Sequence, residues 1–355
     1  MDTIPVIDGH NDTLLNLHLP RRSKGRSFFE RSTVGHIDLP RAREGDFGGG
    51  FFACFVPNRK ADGWSEETAT VLSEGGYEVA GAPPVDPSYA RALADMLASR
   101  LSRLETESGS RLEIVRTAGE IETCLREGKI AAILHFEGAE NLGHAPGSLE
   151  ETYEKGLRSL GLVWSRPNAY AHGVPFRFPS PPDTGPGLTE AGKSLVRECN
   201  RLGVLVDLSH LNERGFWDVA RIAEAPLVAT HSNAHAICPA SRNLTDEQLD
   251  AIRDSDGMVG VNFAVAFLRE DGGESEDTPL ETVVRHVDYL VERVGIDRVG
   301  FGSDFDGAKV PKDIGDVSGL PNLLTALNDA GYNEAELRKL AHENWIRVLR
   351  TTWGE

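Results

Sequence analysis

Three histidines and three carboxylates in this 355-residue chain share one kind of position. His10, Asp12, Glu137, His210, His231 and Asp304 each stand at or just after the end of a short apolar run. Neutral imidazoles and carboxylates together suit zinc or a similar first-row divalent ion. Six such groups are enough for two ions, and Glu137 is the natural bridge, because a carboxylate can give one oxygen to each. Two ions roughly 3.5–4 Å apart can hold a hydroxide between them and polarise an acyl carbonyl. Alone, His10 and Asp12 would read as a turn closing a strand. The other four residues, each at a further run's end, make the pair half of a metal site.

The elements that must bring these groups together are eight short apolar runs, at 4–7, 51–56, 130–134, 157–164, 204–208, 226–229, 258–263 and 298–301. Continuous apolar runs suit strands buried on both faces, and helical patterns separate most of them, as in a parallel sheet. Helices are expected at 87–105, from a capping box at Thr117–Glu120 to Gly128, at 189–202, 212–223, from a second box at Thr245–Gln248 to Gly257, at 279–294 with Pro279 in the first helical position, at 321–330 and at 334–349. Eight such units favour a (β/α)8 TIM-type barrel, with residues 1–355 as a single domain, and all strand C-termini then open on one face. No G-x-G-x-x-G, P-loop or G-x-S-x-G argues for an open sheet.

A net charge of −18 argues against a nucleic-acid or anionic-membrane surface. Cys54, Cys124, Cys199 and Cys238 lie far apart with no C-x-x-C pair and read as reduced thiols. No signal peptide or bilayer-spanning run is visible, so a soluble, cytoplasmic protein is expected.

Other residues carry quieter readings. The basic, Ser-rich stretch 21–31 reads as a surface loop, and Gly48–Gly50 as a place for close backbone approach or a flexible entry. The Pro-rich stretch 167–186 has no periodicity and reads as a lid or substrate-binding loop. His135 reads as a packed core histidine, and His235 as lying on a helix or a loop surface. His18, His36, His144, His286 and His342 read as solvated or structural. Asp207, inside an apolar run, needs a partner if buried. Asp306 reads as a turn residue, and Trp345 and Trp353 as packing for the closing helix.

Asp-Gly-His-Asn-Asp at 8–12, Phe-Glu-Gly at 136–138, Leu-Ser-His at 208–210, Thr-His-Ser at 230–232, Ser-Arg-Asn at 241–243 and Gly-Ser-Asp-Phe-Asp-Gly at 302–307 closely resemble the membrane (renal) dipeptidase family, a metallopeptidase branch of the amidohydrolase-type barrels. The matches run in the family's order over nearly the whole chain. The resemblance implies two Zn2+ per chain: His10 and Asp12 hold the first, His210 and His231 the second, and Glu137 bridges them. It implies that Arg242 binds the C-terminal carboxylate of a dipeptide, which suits a guanidinium fork. It also implies that Asp304 lies near the substrate amine and handles the proton of the nucleophilic water. The family often accepts D-residues on the C-terminal side and often forms homodimers.

Two positions depart from the family pattern. Trp164 occupies the place of a substrate-contacting histidine, with Arg166, Asn168 and His172 as nearby replacements, and Ala264 stands where a tyrosine is often found. The expected activity is zinc-dependent hydrolysis of small dipeptides, without a nucleic-acid or membrane partner. The alternative from Trp164 is a related binuclear amidohydrolase acting on another small amide or lactam. A catalytically silent binding protein on the same barrel is disfavoured, because every expected ligand is present.

Overall fold

All eight apolar runs become parallel strands of one closed barrel in the computed structural model, which describes residues 3–59, 63–143 and 147–354. The strands are β1 (Val6–Asn11), β2 (Phe47–Phe55), β3 (Ile130–Glu137), β4 (Leu157–Gly161), β5 (Leu205–Asp207), β6 (Val228–Ala229), β7 (Met258–Val261) and β8 (Val299–Phe301). Around the ring the order is β1, β2, β3, β4, β5, β6, β7, β8, and β8 pairs back to β1 through Asp8 and Phe301. A short extra strand, Leu112–Ile114, pairs with the N-terminal half of β3, on the edge that β4 takes further along.

The strand ends differ from the sequence reading in instructive ways. β1 runs on through His10, and β3 through Glu137, so both ligand candidates are held by ladder hydrogen bonds rather than by loops. β2 begins at Phe47 and includes the three glycines. The reason is contact: a Cβ on Gly49, whose φ is +147°, would lie 2.1 Å from the Ala131 carbonyl oxygen.

One apolar cluster joins Ile7, Phe51, Ile133, Leu205, Val228 and Met258, from six different staves. Such residues can meet only through the barrel interior. Trp345 belongs to the same cluster, 5.1 Å from the Phe51 ring, and donates its indole N–H to the Phe301 carbonyl at 3.1 Å. It fills the interior beside Gly9, Gly260 and Gly300, where an added Cβ would lie 2.5, 3.0 and 2.9 Å from the indole. The helix expected at 334–349 is broken, with a π turn at Lys339–Glu343 between Glu334–Arg338 and Asn344–Trp353.

Both capping boxes are made as expected, at Thr117 and Thr245. Pro279 is the N-cap of Leu280–Val294 rather than its first residue. The basic stretch is not a free surface loop: Pro20–Ser23 is a helical turn, and Arg26 is buried against Asp306 at 3.2 Å. Asp306 also accepts from Thr13 and from the His36 backbone, so it is a loop anchor. The stretch 167–186 is tied down through Arg177–Phe178, which pairs antiparallel with Gly76–Val79 of a hairpin whose other strand is Thr70–Ser73. The four cysteines are free and buried. Among the described residues no helix is long and apolar enough to cross a membrane. His144 lies outside the described residues.

His286 gives the fold a pH dependence. Its Nε2 lies 3.0 Å from the Leu268 carbonyl and its Nδ1 accepts the Ala234 N–H, which fixes a neutral tautomer. Burial lowers its pKa from 6.5 to about 4. Between those values the unfolded chain holds a proton that the native ring does not, so this contribution rises with pH from about 4 and is complete above 6.5. Its size is on the order of 3 kcal/mol. Urea midpoints measured from pH 4.5 to 7.5 should fall toward acid, and His286→Gln should flatten that slope. An unchanged slope in the variant would exclude His286 as the source.

Candidate metal centre

The barrel's C-terminal rim collects polar side chains from seven strands, and the eighth, β2, ends there in Phe55. His10 is the penultimate residue of β1, and Asp12 caps the helix that follows, Thr13–His18. Glu137 ends β3, His210 and His231 follow β5 and β6, and Asp304 follows β8. His210 and Asp304 hold left-handed backbone, with φ of 65° and 61°. Non-glycine residues in this region are strained and concentrate at functional sites.

The six candidates converge. Glu137 Oε1 lies 3.0 Å from His210 Nε2 and 3.8 Å from His231 Nε2, while Oε2 lies 3.8 Å from His10 Nε2. The two carboxylate oxygens therefore face different histidines. His210 Nε2 and His231 Nε2 are 3.0 Å apart, His10 Nε2 is 3.8 Å from Asp12 Oδ2, and the His10 and His231 rings stack at 3.8 Å. Ligand atoms of His10, Glu137 and His231 lie within 4.8 Å of one another, as do those of His10, Asp12 and Asp304. Gly307 permits the second group: a Cβ there would come within 2.3 Å of both Asp12 Oδ2 and Asp304 Oδ1.

Surrounding groups orient the rings. Thr230 Oγ1 donates to Asp207 Oδ2 at 2.6 Å, so at 2.8 Å from His231 Nδ1 it accepts the ring proton. That tautomer leaves the Nε2 lone pair directed at the centre. Ser165 Oγ lies 2.8 Å from His210 Nδ1 and plays the corresponding part. Asp207 thus has its partners, including the Ser209 and Thr230 backbone N–H groups. Asp8 accepts from Ser303 N and Oγ and ties β1 to the loop carrying Asp304. Asn262 donates to Asp304 Oδ2 at 3.0 Å. The orienting roles of Ser165, Thr230, Asp8 and Asn262 were not read from the sequence, although Asp8 and Thr230 stand in the motifs at 8–12 and 230–232. Only Thr230, a hydroxyl residue directly before His231, gave any local hint.

The electrostatics describe a cation site. Burial holds His210 and His231 well below the usual histidine range, with Arg242 and His10 adding to it, so both are neutral donors. Burial raises the carboxyls of Glu137 and Asp304, and Asp12 adds to each shift. Burial opposes charge on His10 too, but Glu137, Asp12 and Asp304 outweigh it and raise its pKa to about 10. Such crowding of carboxylates calls for positive charge. Most telling, His10 is fully buried and neither ring nitrogen has a hydrogen-bond partner; Asp12 Oδ1 is likewise unpartnered. Buried polar atoms are rarely left so. A divalent ion is the partner these atoms fit.

The remaining candidates fall around this centre. Arg242 is buried, donates to Ser232 Oγ and the His231 carbonyl, both at 2.8 Å, and leaves Nε unpartnered. Burial lowers its pKa to about 10, against the pull of Asp207, Asp304 and Glu137, so it stays charged at neutral pH. Among the described residues no carboxylate comes within ion-pair distance of it. His135 packs under His10, edge to face at 5.6 Å, and binds Ser159 Oγ. His235 Nε2 lies 3.0 Å from the Ser180 carbonyl, away from the centre. Trp164 stands 6.0 Å from the His210 ring.

Two of the residues suggested to replace the imidazole at position 164 are occupied elsewhere. Arg166 is bound to Glu140, Asn58 and the Val56 carbonyl, while Asn168 donates Nδ2 to the Leu162 carbonyl and accepts from the Tyr170 and Ala171 N–H groups through Oδ1. The ring of His172 makes no hydrogen bond to the centre among the described residues.

A closed parallel barrel with an imidazole–carboxylate cluster at the C-terminal rim is the architecture of a metal-dependent hydrolase. The chain belongs to the membrane dipeptidase family, peptidase family M19, whose family model matches residues 1–353. It is similar to a metallopeptidase from Rhodobacter sphaeroides, crystallised with a phosphinate mimic of the dipeptide L-Ala-D-Ala: 50% identity, TM-score 0.93, covering 99% of this chain and 100% of that one. A Klebsiella pneumoniae protein of the pqqA 5' region is 50% identical over 72% of this chain and 94% of its own length. Dipeptidase tcpJ of Claviceps purpurea is 29% identical over 97% of this chain and 76% of its own.

Proposed function

We propose that the protein is a zinc-dependent dipeptidase, and that His10, Asp12, Glu137, His210 and His231 hold two Zn2+ ions with Glu137 shared between them. The observation that carries this reading is the buried, unpaired guanidinium of Arg242 beside an imidazole–carboxylate centre. The full-length similarity to a metallopeptidase crystallised with an L-Ala-D-Ala mimic supports it and makes L-D dipeptides the first substrates to try. Ions bound there supply Lewis acidity toward the peptide carbonyl and a nucleophilic water at neutral pH. Arg242 receives the substrate's C-terminal carboxylate through its free donor side, which positions the scissile bond. Asp304 takes the proton of the attacking water and passes it to the leaving amine.

The test is turnover of a panel of L-L and L-D dipeptides by protein supplied with zinc. No turnover across the panel would sink the proposal. Arg242→Ala should cut kcat/KM by about a hundredfold or more on free dipeptides, since a buried charge-assisted contact is lost. C-terminally amidated analogues should lose far less, and equal losses on both would remove Arg242 from the carboxylate role.

A further inference from the structure

Beside the centre stands a cup of aromatic rings that the chemistry of hydrolysis does not use. Trp164 and Phe176 both face the ring of His210, with centroids at 6.0 and 6.2 Å. Phe55, from the end of β2, lies 5.0 Å from Trp164; Phe176 lies 5.5 Å from it, and Trp64 6.2 Å. Trp164 is buried, but Phe55, Trp64 and Phe176 are each only half-buried. Partly exposed aromatic side chains gathered around a polar centre are the usual lining of a small-molecule pocket. Indole N–H groups normally find partners when buried. That of Trp164 has none among the described residues and is not closed off from solvent, so the ring borders open space.

The cup carries no free charge behind it. The Arg166 guanidinium lies 5.4 Å from the Trp164 ring centroid and 5.6 Å from that of Phe55, but its donors are committed to Glu140, Asn58 and the Val56 carbonyl. It stiffens the wall from behind and offers no donor to an acidic group in front. A substrate side chain begins one bond from the α-carbon next to the scissile carbonyl or amine. A carbonyl polarised beside His210 therefore puts that side chain within reach of rings some 6 Å away.

We propose that Trp164, with Phe55, Trp64 and Phe176, forms a subsite for an uncharged apolar side chain of the substrate, aliphatic or aromatic. The inference rests on the dipeptidase reading and goes beyond it by naming the side-chain class. Trp164 is then a specificity-determining residue, and an imidazole there would give up most of the apolar surface.

The experiment takes the zinc-loaded enzyme and L-Ala-D-Ala as reference, and varies each side chain in turn among methyl, isobutyl, benzyl and carboxymethyl. At one position, isobutyl or benzyl should exceed carboxymethyl by about tenfold to a hundredfold in kcat/KM. Trp164→Gln should bring that ratio to within about threefold, with bound zinc per chain unchanged, and Phe176→Leu should narrow it partway. A wild-type enzyme that turns over dipeptides without this preference overturns the inference, as does a preference undiminished in both variants. Failure to cleave any dipeptide instead overturns the dipeptidase reading on which it rests.

Discussion

Glu137→Gln should separate metal binding from folding. Its two oxygens face opposite sides of the centre, one toward His210 and His231 and the other toward His10. An amide keeps one oxygen and turns an N–H2 group toward the other side, where it repels a cation. Groups that only orient ligands cost about 10–100-fold in metal affinity when removed, so losing a shared ligand should cost at least about a hundredfold. Turnover should fall with it. The stability of the metal-free protein should move the other way. Burial and the neighbouring Asp12 and Asp304 make ionised Glu137 unfavourable there, and an amide removes that conflict. Metal-free Tm should therefore hold or rise in the variant, while the stability gained at a fixed, saturating zinc concentration shrinks by about 3 kcal/mol and the zinc-linked rise in Tm shrinks with it. Dialysis followed by metal analysis, with melting curves at several zinc concentrations, reads both. Wild-type metal content and an undiminished zinc-linked Tm gain would show that Glu137 is not a shared ligand.

The centre was legible because barrels place polar chemistry where apolar runs stop. Each of the eight runs is a stave, and Glu137, His210, His231 and Asp304 are conspicuous as polar breaks at stave ends. The hairpin Thr70–Val79 left no such trace. Val71 and Leu72 are 65% and 79% exposed, so its outer strand has no buried face to impose alternation. The orienting shell was hidden for another reason: its contacts are far apart in sequence. Asp8 meets Ser303 across 295 positions, and Arg26 meets Asp306 across 280. Arg26 and its neighbours looked solvated because a partner so distant leaves no local pattern. Position 164 could be compared with the family's histidine, but its chemistry depended on Phe55, Trp64 and Phe176, which only the fold brings to it.

Asp304→Asn should lower turnover by about 10²–10⁴-fold, the usual worth of a positioned proton-transfer group. The substitution is close to isosteric, and asparagine tolerates the left-handed backbone this position needs, with φ of 61°. The amide oxygen can still accept from Asn262 Nδ2, now at 3.0 Å from Asp304 Oδ2, so the side chain should keep its place. What it loses is the ability to take a proton from water and give it to the leaving amine. Asp304 also lies within ligand distance of His10 and Asp12, which makes the metal content of the variant decisive. Full zinc with depressed kcat fits proton transfer. A parallel loss of zinc and activity would make Asp304 a metal ligand instead, and unchanged turnover would remove it from the reaction altogether.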